Sequence, residues 1–91
     1  MVRVELFITN TLGLHARAAG KFVEAASRFD SDIWLVKDKN RVNGKSIMGI
    51  LTMAAAKGDL VVMEIDGPDE EQALEALKEL VRSGFGENEK E

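Results

Sequence analysis

Residues 2 to 9 alternate, with Val2, Val4, Leu6 and Ile8 set against Arg3, Glu5, Phe7 and Thr9. A period of two puts the two sets on opposite sides of an extended chain, which predicts a strand with one buried face. The period then changes. From residue 16 to about 29, Ala19, Phe22, Val23, Ala26 and Phe29 fall at helical spacing, while Arg17, Gly20, Lys21, Glu24, Ser27 and Arg28 take the other face. Neither a one-faced strand nor a one-striped helix can leave its apolar side in water, so each must cover the other. Repeated down the chain, this switch of period restricts the fold to two packed layers.

Asp30-Ser31-Asp32 is turn-forming and residues 33 to 37 are rich in β-formers, giving a second strand. Asp38-Lys39-Asn40 turns the chain into a short third strand around Arg41-Val42-Asn43. Ser46 is a good N-cap for a compact helix from residue 47 to about 56. Its Ile47, Ile50, Leu51 and Ala54 share a face expected to be core, with Met48 and Thr52 pointing elsewhere. Gly58 is expected to stop that helix, and residues 60 to 65 read as a fourth strand. Asp69 followed by Gln72 has the form of a capping box, opening a helix to about residue 83 that Ala73, Leu74, Leu77, Leu80 and Val81 bury and Gly84 ends. The tail from 87 to 91 is charged and expected to fray. The order βαββαβα predicts an α+β fold: a two-layer, open-faced sandwich of an antiparallel sheet with helices on one side. Its two βαβ-like halves favour an interleaved, ferredoxin-like arrangement. With no internal repeat, low-complexity stretch or linker, residues 1–91 are read as one domain.

Ninety-one residues can close one core but leave no material for a deep cleft, so a shallow surface site is expected. With 45% hydrophobic and 31% charged residues, the chain falls in neither a disordered nor a fibrous class. The longest low-charge run, 46 to 56, is too short to span a bilayer, and the N-terminal segment reads as strand rather than signal peptide. The lack of cysteine removes both disulfides and thiol chemistry, which fits the cytoplasm. A net charge of -4 argues against the phosphate backbone of a nucleic acid as partner. A βαββαβ sheet can bind single-stranded RNA on its face, but Phe7 and Trp34 are a thin supply of aromatics on an acidic chain. A small-molecule regulatory domain of similar topology would not ordinarily carry a histidine at a helix start.

The single histidine sits in such a place. Asn10, Thr11 and Gly13 break the strand pattern and residue 16 onward reads as helix, so His15 falls at or beside the N-cap. Ser, Thr, Asp or Asn would there contribute about 0.5–2 kcal/mol over an apolar residue, and histidine is a poor choice. A local rule broken without visible compensation points to function. The free N–H groups of the first turn, the positive end of the helix dipole and Arg17 together make a place for an anion. An uncharged imidazole beside such a cradle has the chemistry of a phosphoryl acceptor. Spacing alone would equally allow a histidine that merely caps or packs. Gly20 costs its helix about 1 kcal/mol against alanine, which a closely approaching partner or packing slack would each explain.

Gly13-Leu14-His15-Ala16-Arg17 followed by Val42-Asn43-Gly44-Lys45-Ser46-Ile47-Met48-Gly49-Ile50, at this separation and in this fold order, resembles the HPr family. These are the histidine-containing phosphocarriers of the phosphoenolpyruvate-dependent sugar phosphotransferase system. The resemblance spans essentially the whole chain. It implies a sheet ordered 1-4-2-3 covered by three helices, and a carrier that is itself phosphorylated rather than an enzyme. By it, His15 accepts the phosphoryl group on Nδ1 from phosphorylated enzyme I and passes it to the A domain of a sugar permease. Arg17 faces the phosphate, and Ser46 matches a regulatory serine that a dedicated kinase phosphorylates in some bacterial lineages. Ala16, Gly20, Lys21, Glu24, Ser27, Ile47 and Met48 form the partner-facing surface, where methionine adapts to several shapes. A serine kinase/phosphorylase and a transcriptional regulator are further partners the resemblance brings. It implies no cofactor, metal, nucleic acid or membrane insertion, and a monomer in the cytoplasm. The family usually has proline where this chain has Ala18, which bears on the fine geometry of the site.

Overall fold

The computed structural model describes residues 1–86, and the charged tail lies outside the described residues. The alternating N-terminal segment forms β1 (Val2–Phe7) and the first helical pattern forms α1 (Ala16–Ala26). There follow β2 (Asp32–Lys37), β3 (Asn40–Asn43), α2 (Ile47–Met53), β4 (Leu60–Asp66) and α3 (Glu70–Arg82), then a 3₁₀ turn at Gly84–Gly86. The strands make one antiparallel sheet in the order β1-β4-β2-β3. Thus β4 separates β1 from β2, and β2 separates β4 from β3. The two halves interleave, in the order the resemblance implies.

Register follows the period of two. Leu6 lies opposite Val61, Ile33 opposite Ile65 and Leu35 opposite Met63, and all six are buried. The helices cover that face with Ala18, Ala19, Phe22 and Ala26 from α1, Ile50 and Met53 from α2, and Ala73, Leu77 and Val81 from α3. The other face is open. There Phe7 pairs with Leu60, and the Arg41 guanidinium stacks 4.1 Å from the Trp34 ring centroid while its Nε donates to Glu64 at 3.1 Å. Trp34 is thus stacked against a cation of its own chain, while Phe7 is 62% exposed.

Both shorter helices end before their patterns do. α1 stops at Ala26 rather than 29, because the Arg28 and Phe29 N–H groups bond the carbonyls of Ala25 and Ala26, three residues back, and tighten the exit. α2 stops at Met53 rather than 56, because Ala54 turns left-handed (φ 54°, ψ 42°) four residues before Gly58. Gly58 (φ 92°) shapes the next turn instead. With the helix so short, Ala54 is exposed and Ile47 is 43% exposed, not core, and Met53 is buried in their place. Asp69 makes no capping bond to its own helix. Its carboxylate accepts from the Asp30 N–H (2.8 Å), the Ser31 N–H (3.0 Å) and the Ser31 hydroxyl (2.6 Å), tying the start of α3 to the entrance of β2. Gly67 and Glu70 make the reciprocal contact, Glu70 Oε1 accepting from the Gly67 N–H and the Gly67 carbonyl accepting from the Glu70 N–H. Gly84 ends α3 as expected, but Phe85 beyond it is a core residue, 1% exposed.

Candidate functional site

The loop from β1 to α1 is built by backbone and one buried amide. The Asn10 side chain is fully buried and donates through Nδ2 to the Gly13 carbonyl at 2.8 Å, while the Gly13 N–H returns to the Asn10 carbonyl at 3.1 Å. Gly13 has φ +67°, and a Cβ there would stand 2.5 Å from the Ala55 carbonyl oxygen. Only glycine meets both demands. The Leu14 N–H donates to that same Ala55 oxygen at 2.9 Å and its side chain is buried, so the residue before His15 is anchored twice.

His15 is the N-cap of α1, extended at φ −78°, ψ −179°, and its carbonyl accepts the first helical bond from the Ala19 N–H at 2.8 Å. Its Nδ1 accepts from the Arg17 N–H at 3.3 Å. An Nδ1 that accepts carries a lone pair, which places the ring proton of the neutral imidazole on Nε2. The lone-pair nitrogen is therefore the one that faces the helix terminus. The first-turn N–H groups have no carbonyl four residues back in the helix, so an anion attached at Nδ1 meets donors and the positive dipole end. That contribution, about 0.3–1 kcal/mol for an exposed anion, is small enough to let the group leave again.

Arg17 is exposed at the second helical position, and its guanidinium enters no ion pair among the described residues. Ala16 is exposed beside it and Gly20 is half-buried one turn on. A Cβ on Gly20 would meet nothing within 4 Å, so no packing among the described residues calls for glycine there. Lys21 is not a free cation, since its Nζ donates to the Phe85 carbonyl at 2.8 Å. Glu24 and Ser27 are exposed, but Ser27 is the C-cap at the far end of α1, about 18 Å along the axis from His15 at 1.5 Å per residue. The second motif is brought alongside, because α1 packs against α2 and the exit of α2 holds Leu14. Ser46 is the N-cap of α2, its Oγ accepting from the Gly49 N–H at 3.0 Å. Ile47 and Met48 (69% exposed) lie in the first turn after it, turned outward. Among the described residues no three His, Cys, Asp or Glu side chains gather as a metal site. No helix of the described residues is long and apolar enough to cross a membrane.

Asn10 and Ala55 are parts of the site that sequence reasoning passed over. Asn10 carried a readable signal, a buried-capable amide three residues before a glycine. Ala55 carried none, because it acts through its backbone oxygen.

Comparison with known proteins shows the family. The family model described as the phosphorylation site of the phosphotransferase-system HPr component matches residues 2–83. The phosphocarrier protein HPr of Neisseria meningitidis serogroup A is 51% identical over 89 residues, covering 98% of this chain and all of that one. The crystal structure of HPr from Thermoanaerobacter tengcongensis superposes with a TM-score of 0.93 at 48% identity, covering 97% of this chain and 99% of that one. Crh of Bacillus subtilis, a catabolite-repression protein crystallised as a domain-swapped dimer, gives a TM-score of 0.75 at 42% identity over 92% of this chain and 97% of its own. The chain belongs to the HPr family, the phosphocarrier proteins of the phosphotransferase system, which carry a phosphoryl group rather than catalyse a reaction.

Proposed function

We propose that His15 is the residue that carries the phosphoryl group, accepting it on Nδ1 from phosphorylated enzyme I and handing it to the A domain of a sugar permease. The observation that carries the reading is the orientation of the ring: Nδ1 is directed at the Arg17 N–H, at the anion-favouring end of α1. On uptake the bond between Nδ1 and phosphorus forms as the bond from phosphorus to the enzyme I donor atom breaks, and on delivery the Nδ1–phosphorus bond breaks as the A-domain acceptor atom bonds to phosphorus. Arg17 supplies charge-assisted hydrogen bonds to the group in transit. Ala16, Gly20, Ile47 and Met48 give the docking surface around it, and Lys21, Glu24 and Ser27 extend that surface down α1. The carrier works in the cytoplasm as a monomer, and sedimentation at working concentration should give the mass of one chain. A dimer such as that of Crh would overturn that part.

Incubation with phosphoenolpyruvate and enzyme I, followed by intact mass, tests the central step. One acid-labile, alkali-stable phosphoryl group is expected, as for a phosphoramidate. No uptake, or uptake that survives acid, overturns the assignment.

Ser46 is proposed as a regulatory site for a serine kinase/phosphorylase, with a transcriptional regulator as reader of the modified form. Its hydroxyl heads α2 next to the exposed Met48, so a phosphate there would join a helix N-terminus without unfolding it and would place negative charge on the docking surface. Ser46→Asp should weaken acceptance from enzyme I. Unchanged kinetics in this mimic would count against the switch.

A further inference from the structure

The exit of α2 is held by two charged side chains from other parts of the chain. Lys37, at the end of β2, donates through Nζ to the Ala54 carbonyl at 3.3 Å and lies 3.0 Å from Asp59 Oδ2. That same oxygen accepts from the Ala56 N–H at 2.8 Å, and the Asp59 N–H donates to the Ala56 carbonyl at 2.9 Å. Residues 54 and 56 are thereby clamped, and between them lies the Ala55 carbonyl that receives the Leu14 N–H. There is no slack across this contact, since a Cβ on Gly13 would be 2.5 Å from Ala55 O and 2.9 Å from Ala56 Cα. The other root of the loop is tied to the same residue. The Ile8 N–H donates to the Asp59 carbonyl at 3.0 Å, and the Gly58 N–H donates to the Ile8 carbonyl at 2.8 Å.

We infer that Lys37 and Asp59 are positioning residues for His15, fixing the aim of the Ala55 carbonyl that anchors the phosphoryl-acceptor loop through Leu14. Ala54 explains why such a clamp is needed. A left-handed alanine is a sparsely populated conformation that persists only where its surroundings determine it, and Lys37 holds its carbonyl. The pair is partly shielded, with side chains 22% and 35% exposed, and the Asp59 carboxyl is held below the usual carboxylate range by the Ala56 N–H first and by Lys37 after it. A pair that served only general stability would have no reason to converge on the one peptide segment that contacts the His15 loop.

The clamp rests on the carrier reading for its consequence in transfer, but not for its existence, and the experiment separates the two. Amide hydrogen exchange is measured in wild type, Lys37→Met, Asp59→Asn, the double variant and Lys37→Arg. The Leu14 and Ala56 amides should exchange about tenfold or more faster in either single variant, relative to core amides such as Met63 and Leu77, and the double variant should be no worse than the singles. Lys37→Arg should restore the wild-type pattern. With phosphoenolpyruvate and enzyme I, the rate of phosphoryl uptake should fall roughly tenfold to a hundredfold in both single variants, the scale of a reacting group misplaced by about 1 Å. Exchange at Leu14 that rises only as much as at Met63 and Leu77 would overturn the proposal, as would wild-type uptake by Asp59→Asn. If wild type itself takes up nothing, the carrier reading fails, while Leu14 exchange still decides the clamp.

Discussion

Two helices that pack against each other in this fold are started in different ways. At α2 the N-cap is Ser46, whose Oγ takes the N–H of the third helical residue at 3.0 Å. At α1 the N-cap is His15, whose Nδ1 takes the N–H of the second at 3.3 Å. Both residues are extended, so the backbone does the same thing twice, and only the side chain differs. α2 has seven residues, two of them buried, and depends on its cap, because a helix that short is marginal without one. α1 has eleven residues and buries Ala18, Ala19, Phe22 and Ala26 against the core. Its packing stabilises it enough to tolerate a weaker cap at its first turn. A good cap saturates the helix start, and a weak one leaves donors for a ligand.

The contrast breaks most sharply at His15. His15→Ala should abolish phosphoryl uptake from enzyme I while lowering stability by about 1 kcal/mol, the scale of a lost cap, the capping bond here being long. Intact mass after incubation with phosphoenolpyruvate and enzyme I, beside a urea titration, reads both. Residual uptake in this variant would move the acceptor elsewhere.

Next in size is Arg17. Removing one charge-assisted bond of about 1.5–3 kcal/mol should slow transfer between tenfold and a hundredfold. Because the side chain is exposed and joins no ion pair among the described residues, the midpoint of unfolding of Arg17→Ala should hardly move. Quenched-flow transfer at the wild-type rate would return Arg17 to the status of a solvated helix residue.

Ser46 gives the mirror image of His15. Ser46→Ala should cost about 0.5–2 kcal/mol of stability, the ordinary loss for a working cap, and leave uptake on His15 intact. Were both variants to lose stability equally, the division between a capping helix start and a chemical one would not hold.

The start of α3 sharpens the comparison through pH. Asp69 stands at the N-cap but spends its carboxylate on Ser31 and Asp30, and the Ser31 hydroxyl first, then the Asp30 N–H, hold it below the usual carboxylate range. A carboxyl depressed by folding adds stability above its unfolded value of about 3.9, and that stability is lost as pH falls through the folded value. The unfolding midpoint should therefore drop below about pH 4, and Asp69→Asn should flatten part of that drop while lowering stability at neutral pH. Asp59 is depressed in the same direction and should add to the same slope. A wild-type acid slope in Asp69→Asn would mean that the latch between α3 and β2 contributes little.

The sheet, the three helices and the His15 loop could all be read in the residues, because each rests on a local pattern: a period of two or 3.6, or a glycine and a histidine where neither is the usual choice. What could not be read depends on contacts far apart in sequence. The short α2 follows from Ala54, a residue with no intrinsic taste for the left-handed region, held by Lys37 from the end of β2. Asp69 was spelled as a cap, yet Ser31 outcompetes its own helix for the carboxylate. Phe85 lies beyond the last helical pattern and no period marks it as core, yet the left-handed Gly84 and Gly86 flank the turn in which it is buried.

The finest form of the comparison lies at Ala18, where the family resemblance implies proline. Ala18 is the third helical residue of α1 and is fully buried, and it retains an N–H that proline lacks. Since Nδ1 already faces the N–H of Arg17, oxygens of a phosphoryl group on Nδ1 would reach along the same turn toward the donor of the next residue. This chain should then hold its phosphoryl group more tightly than a proline-bearing site, by something like the ~0.5–1.5 kcal/mol of a net hydrogen bond. Hydrolysis and onward transfer of the phosphohistidine, followed by phosphorus NMR, should therefore be up to about tenfold faster in Ala18→Pro. Proline also stiffens the unfolded chain, which moves global stability by about 0.4–1 kcal/mol without touching the bound group, so unfolding has to be measured in parallel. Equal hydrolysis in two equally folded proteins would mean that the first turn offers its ligand no more than the Arg17 N–H, and that the donor at position 18 is spent on nothing.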